Sequence, residues 1–230
     1  MLNNTQYKIY CVLFSSYSKN IDFTYIQRKD NFKNMLRFNL LIISICAVLY
    51  IPLLIIFFIK KYSIEKHIFC LTLYVYFCLI IKYTFFPIPV NISMFREIFK
   101  GQGLSTNIIP FQNIYGILKM AYYGNLPLAL RQIGGNLILF APLGYLLPLI
   151  FNKFNAFVKI IITALIFSAS IEIVQFVANN FMGFPYRAAD IDDIILNTIG
   201  AVMGYLLFKL TKPIIRKLLP SYMNNFETCI

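Results

Sequence analysis

Tryptophan is absent from this 230-residue chain, histidine occurs once, and aspartate and glutamate together number nine. Each shortage closes off a class of function. His67 stands in a basic loop with no second histidine and no clustered cysteine beside it, so a zinc site has no ligand set to be built from. The cysteines Cys11, Cys46, Cys70, Cys78 and Cys229 form neither a CxxC nor any framework of short spacings, and they read as small apolar residues, mostly within apolar runs. Charged residues make up only 13% of the chain, whereas an ordinary soluble domain has about 25%. That deficit argues against a cytosolic enzyme. With no tryptophan, any aromatic belt at a membrane interface falls to the 16 tyrosines and 23 phenylalanines. No internal repeat or low-complexity tract stands out, which makes a transporter built from repeats unattractive.

What the chain has is apolar length. Hydrophobic residues are 59% of it, and at about 20 apolar residues per helical span there is room for roughly four to six spans with modest loops. The expected fold is all-α, a polytopic transmembrane helical bundle of about five spans. The spans are expected at Leu40–Ile59, Ile68–Phe86, Ile133–Phe151, Val158–Val177 and Ile191–Leu210. Between the second and third lies a long, moderately apolar connection, residues 87–132, which could lie in the interface or re-enter the membrane against protein. Pro87 and Pro89 close the second span, and Lys82, one turn before its end, can snorkel to the interface.

The formal charge of +12, with 21 Lys and Arg, would suggest nucleic acid in a soluble protein. Here it reads as topology, and no nucleic-acid partner is expected. Lys60, Lys61, Lys66, Lys153, Lys212, Arg216 and Lys217 fall on one side of a five-span chain, so the positive-inside rule places the C-terminus in the cytoplasm and the 87–132 connection outside. The localisation expected is a bacterial plasma membrane, multi-pass. The division expected is a basic N-terminal tail over 1–39, a membrane domain over 40–212 and a basic C-terminal tail over 213–230. Residues 1–34 make a poor signal peptide, and Met35, followed at once by a long apolar run, is expected as an alternative translation start.

The scarce acids are not scattered. Glu172, Asp190, Asp192 and Asp193 fall close together in a chain otherwise nearly free of them. On the fourth span Ser168, Glu172, Gln175 and Asn179 are spaced by four, three and four, which puts them on one helical face. A carboxylate inside a span costs about 2.5–3.5 kcal/mol on insertion scales, so such a stripe faces protein or a wet cavity. Asp190 reads as the N-cap of the fifth span, with Asp193 and Asn197 on its first turns. Asn136 opens the third span. Because alternate spans run in opposite directions, these residues, Arg187 and the Asn107-Ile-Ile-Pro-Phe-Gln-Asn113 loop come out near one membrane face. The candidate ligand-binding set is therefore Asn107, Asn136, Glu172, Gln175, Arg187, Asp190, Asp193 and Asn197. Gly200 and Gly204 form a G-x-x-x-G that reads first as close helix packing, and Pro142 as a kink whose first use is packing.

The pieces Thr84-Phe-Phe-Pro-Ile-Pro89, Asn107-Ile-Ile-Pro-Phe111, Asn136-Leu-Ile-Leu-Phe-Ala-Pro-Leu-Gly144, Ser170-Ile-Glu-Ile-Val-Gln175 and Arg187-Ala-Ala-Asp-Ile-Asp-Asp-Ile-Ile-Leu-Asn-Thr-Ile-Gly200 stand in one order. In that order the sequence resembles the VanZ-like family of bacterial membrane proteins, over about residues 84–205, although its Gln175-to-Arg187 segment is longer than usual. The resemblance implies a membrane protein with a teicoplanin-resistance factor among its relatives. It does not imply that every member confers resistance.

Three functions compete on these residues. The first is binding or shielding of a cell-envelope lipid, a lipid-linked glycan or a lipoglycopeptide, with the polar residues on the head group and apolar helix flanks on the tail. The second is an intramembrane enzyme acting on a phospholipid or polyprenyl-phosphate head group, with Glu172 as general acid or base, Arg187 clamping phosphate, and Asp193 with Asp190 holding Mg²⁺ or orienting Arg187. Its weakness is that no nucleophile is evident. The third is a structural or assembly role in which the polar residues only pack helices. No cofactor or metal is expected outside the enzyme alternative.

Overall fold

The computed structural model describes residues 35–101, 103, 106–124 and 126–223. The alternative start at Met35 and the tail before it concern residues that lie outside this range, except for the short stretch 35–39. Met35–Leu36 form a short strand, β1, that pairs antiparallel with β2 (Ile88–Pro89).

Among the described residues, five helices are long and apolar enough to cross a membrane. Helix α1 (Leu40–Lys60) starts where Asn39 accepts the Ile42 N–H, and α2 (Ile64–Phe85) starts where Ser63 accepts the Lys66 N–H. Two short helices, α3 (Ile92–Ile98) and α4 (Gln112–Tyr122), lie between the second and third spans, with strand β3 (Thr106–Asn107) between them. Helix α5 (Leu126–Ile150) and α6 (Phe157–Met182) follow, joined by a 3₁₀ turn at Asn152–Phe154. Strand β4 (Ala189–Asp190) pairs parallel with β3 and leads into α7 (Ile191–Leu218).

Four of the five expected spans extend further as helix than hydropathy indicates. The second begins at Ile64 rather than Ile68, the third at Leu126 rather than Ile133, the fourth runs on to Met182, and the fifth to Leu218 through Lys212, Pro213, Arg216 and Lys217. Hydropathy stops where charge begins, but helical hydrogen bonding does not. A cap such as Ser63 and a favourable first-turn acid such as Glu65 carry the helix into the polar zone. Residues 213–218, expected in the C-terminal tail, thus belong to α7. Beyond them Tyr222 and Met223 are buried, and the Tyr222 hydroxyl donates to the Leu149 carbonyl at 2.8 Å.

Helices α5 and α7 form the centre. Without side chains in the way, their backbones approach so closely that a Cβ on Gly204 would stand 1.8 Å from the Ala141 carbonyl oxygen, one on Gly200 2.2 Å from that of Leu137, and one on Gly144 1.8 Å from that of Ala201. This is small-residue packing of the kind membrane helices use in place of a hydrophobic drive. Gly200 and Gly204 are packing residues, as their spacing suggests. Around the pair, Phe140, Phe208, Ile80 and Ile160 are almost wholly enclosed. Helix α1 is peripheral: large apolar side chains along it, among them Leu40, Phe58 and Ile59, are exposed. Near Pro142, the Tyr76 hydroxyl of α2 donates to the Leu139 carbonyl of α5 at 2.8 Å, so a polar cross-link accompanies the proline.

A second, smaller cluster seals the polar end. Phe95 of α3 and Phe99 just after it pack with Phe184 and Tyr186 from the loop after α6, and the Phe99 and Phe184 rings stack with an interplanar angle of 9°. Arg96 of the same helix donates to the Met182 and Phe181 carbonyls, completing the C-terminus of α6 before Gly183 turns the chain at φ 75°.

Candidate functional site

Three aspartates open α7, and each finds a different partner. Asp190 accepts the Asp192 N–H as N-cap, and its two carboxylate oxygens also accept the side-chain amides of Asn107 at 2.8 Å and Asn113 at 2.7 Å. Asp192 turns the other way, toward α4, where it accepts the backbone N–H groups of Phe111, Asn113 and Ile114. A carboxylate at an uncapped helix start meets free N–H groups and the positive end of the helix dipole together. Asp193 faces α5 and accepts the Asn136 side-chain amide at 2.5 Å.

Helix α6 supplies the opposing face. Its stripe is buried at Ser168, Glu172, Gln175 and Asn179, as the spacing predicts. Glu172 accepts the backbone N–H of Asp190 at 2.8 Å, tying mid-α6 to the start of α7. One turn deeper, Asn197 donates to the Ser168 hydroxyl at 2.8 Å. One turn toward the polar end, Gln175 donates to the Thr84 carbonyl of α2 at 3.3 Å. Asn179 organises the following loop: its oxygen accepts the N–H groups of Tyr186 and Arg187, and its amide donates to the Arg187 carbonyl.

Arg187, expected to clamp phosphate and to be oriented by Asp190 with Asp193, points to the end of α2 and not to those aspartates. Its guanidinium donates from Nη2 to the Phe86 carbonyl at 2.7 Å and lies over the Tyr186 ring. Among the described residues, neither Glu172 nor Asp193 has a Lys or Arg within ion-pairing distance.

The eight expected residues therefore gather at one end of the bundle in linked sets. Asn107 with Asp190, Asn136 with Asp193, Glu172 with the Asp190 backbone, and Asn197 with Ser168 tie α5, α6, α7 and the β3 loop together. Gln175 and Arg187 instead flank the C-terminal end of α2. Sequence reasoning passed over Asp192, Asn113 and Thr84 as site residues. Asp192 and Asn113 carried a signal, since both stand in the acidic and asparagine-rich segments that drew attention. Thr84 stood only at the head of the Thr84-Phe-Phe-Pro-Ile-Pro89 piece, and a hydroxyl at the end of an apolar span is otherwise ordinary. Several buried polar atoms here have no hydrogen-bond partner among the described residues: Thr84 Oγ1, Gln175 Oε1, Arg187 Nε and Asn197 Oδ1.

The VanZ/LLP1 family matches residues 69–212, more than half of the chain. The chain belongs to the VanZ/LLP1 family. All eight expected site residues lie inside the matched region. This VanZ/LLP1 chain is also similar to Protein VanZ of Enterococcus faecium, with 35% identity over 81 residues, which is 35% of this chain and 46% of that protein. The alignment thus covers less than half the length of that relative. No solved structure matches the chain. A family of membrane proteins and five candidate spans together make this a membrane protein.

Proposed function

We propose that this VanZ/LLP1 protein binds or shields a cell-envelope lipid, lipid-linked glycan or lipoglycopeptide, using the polar end of its bundle as the recognition site. The observation that carries the reading is the set of buried polar atoms left without partners at that end. Thr84 Oγ1, Gln175 Oε1 and Arg187 Nε surround the last turn of α2, and Asn197 Oδ1 lies deeper between α6 and α7. Buried donors and acceptors are paired almost everywhere in native structures, so a group of orphans calls for a bound partner. If the polar residues only packed helices, their bonds would close among themselves.

The family supplies the precedent, teicoplanin-type resistance, and the positive-inside rule supplies the side, the outer leaflet of a bacterial plasma membrane. An enzyme acting on phospholipid or polyprenyl-phosphate head groups is the weaker reading. Both Asp190 oxygens are taken by Asn107 and Asn113, which leaves Asp190 poorly placed to hold Mg²⁺, and Arg187 is anchored on Phe86 instead of beside Asp193. The test is to purify the full chain in mild detergent and identify co-bound lipid or glycolipid by mass spectrometry. A specific envelope component that Gln175→Leu and Arg187→Gln release supports binding. Recovery of bulk membrane lipid alone, unchanged by both substitutions, would overturn it.

A further inference from the structure

The orphaned groups differ in kind, and the difference bears on what is bound. At the α2 edge, Arg187 offers an unpaired Nε–H on a permanent cation, and Thr84 offers a hydroxyl. Deeper, the site has an excess of acceptors. Gln175 is only 7% exposed, and its amide nitrogen faces the Thr84 carbonyl, which can only accept, so its free oxygen is fixed as an acceptor. Asn197, 3% exposed, also leaves its oxygen unpaired. On the same two helix faces, a turn away from these amides, stand Glu172 and Asp193, carboxyl groups with no cation in reach among the described residues.

A bare phosphate would suit Arg187 but bring further negative charge beside the carboxyl groups of Glu172 and Asp193. A bare cation would suit the carboxylates and leave Arg187 uncompensated. A neutral glycan would answer the amides and neither charge. We propose that the site takes a zwitterionic phospholipid head group in which a phosphate is joined to a primary ammonium. The phosphate is held by Arg187 and Thr84, and the ammonium by Glu172, Asp193 and the Gln175 oxygen. An ammonium has three donors and no acceptor, which matches a site whose inner half only accepts. Charge-assisted bonds of this kind are roughly twice as strong as neutral ones. The inference rests on the recognition site proposed above and narrows its ligand to one chemical class.

The test is native mass spectrometry of the purified full-length chain titrated with phosphatidylethanolamine, phosphatidylglycerol and N-acetylated phosphatidylethanolamine. The amine-bearing lipid is expected to bind about tenfold more tightly than either of the others, the weight of one charge-assisted bond. Glu172→Gln and Asp193→Asn keep the shape of each side chain and are expected to abolish that preference, while Arg187→Gln weakens phosphatidylethanolamine and phosphatidylglycerol alike. Monodisperse elution and an unchanged melting temperature show that each variant is folded. Equal binding of the free and acetylated amines overturns the head-group assignment, as does a preference that survives both carboxyl substitutions. If none of these lipids binds but a different envelope component is released by Arg187→Gln, the head-group assignment fails and the recognition site stands. If no component depends on Arg187 or Gln175, both fail.

Discussion

Asp192, at the start of α7, accepts the backbone N–H of Asn113 at 2.8 Å and those of Phe111 and Ile114 beside it, so an acid on one helix caps the beginning of another. Asp192 is 1% exposed, and three backbone donors depend on it. Asp192→Ala is expected to destabilise the protein by about 1–3 kcal/mol through unsatisfied buried groups. Asp192→Asn, which keeps one acceptor oxygen, should fall between. Thermal unfolding in detergent reads the loss, and hydrogen exchange should accelerate first at the amides of residues 111–114.

The α5–α7 contact is equally specific. A Cβ on Gly204 would stand 1.8 Å from a backbone oxygen of Ala141, which no side-chain rotation relieves. Gly204→Ala is expected to cost about 1–3 kcal/mol or more, as overpacking does. Gly116, inside α4 with nothing within 4 Å of its notional Cβ, is the control: Gly116→Ala should be neutral or stabilise by about 0.5–1 kcal/mol. Equal melting temperatures for the two variants would contradict the packing described.

Asn179 is 0% exposed, and its side-chain amide bonds to the Tyr186–Arg187 turn. Asn179→Ala should free that turn and with it Arg187, with a stability loss of about 1–3 kcal/mol. Asn179→Asp keeps the acceptor for both N–H groups but loses the donor to the Arg187 carbonyl, and should do less harm. Limited proteolysis between Gly183 and Arg187 reports the opening. Resistance of the Ala variant to cleavage would count against it.

Glu172→Gln retains an oxygen for the Asp190 N–H and is expected to leave the melting temperature nearly unchanged, whereas Glu172→Ala loses that bond and should unfold earlier. The Gln variant also separates chemistry from binding. If a teicoplanin-sensitivity or lipid-turnover phenotype survives it intact, acid–base catalysis at Glu172 is excluded.

The loop tip and α4 expose Ile108, Ile109, Phe111, Tyr115, Leu118, Tyr122 and Tyr123, an apolar run of the kind that lies in a bilayer interface. Because the chain has no tryptophan, Ile109→Trp and Tyr122→Trp provide single probes without background. Both are expected to be quenched strongly by brominated lipid in vesicles. Emission at the wavelength of fully hydrated tryptophan, insensitive to bromine, would place the segment in water.

The spans could be read directly from the chain. A bilayer core accepts only long apolar helices with their backbone bonds closed internally, so hydropathy located all five, and the helical spacing of Ser168, Glu172, Gln175 and Asn179 located the buried polar stripe. The turn that carries Arg187 was less legible. That turn is held locally by Asn179, eight residues before Arg187, and from a distance by the packing of Phe95 and Phe99 on Phe184, which joins segments far apart in the chain. Thr84 and Asn113 became site residues only because α2 and the α4 loop were brought to the same end of the bundle.

Composition and period were thus enough for a membrane bundle with its acids gathered at one end. They could not divide those acids among partners. Asp192 and Asp193 are adjacent in sequence, yet one caps α4 and the other meets Asn136 of α5. Successive residues on a helix point about 100° apart at 3.6 residues per turn, so neighbours in the chain face different neighbours in space. Which neighbour each one meets depends on how closely α5 and α7 pack through Gly144, Gly200 and Gly204, and on where α4 is held against them. Those distances belong to the assembled bundle and to no local stretch of the chain.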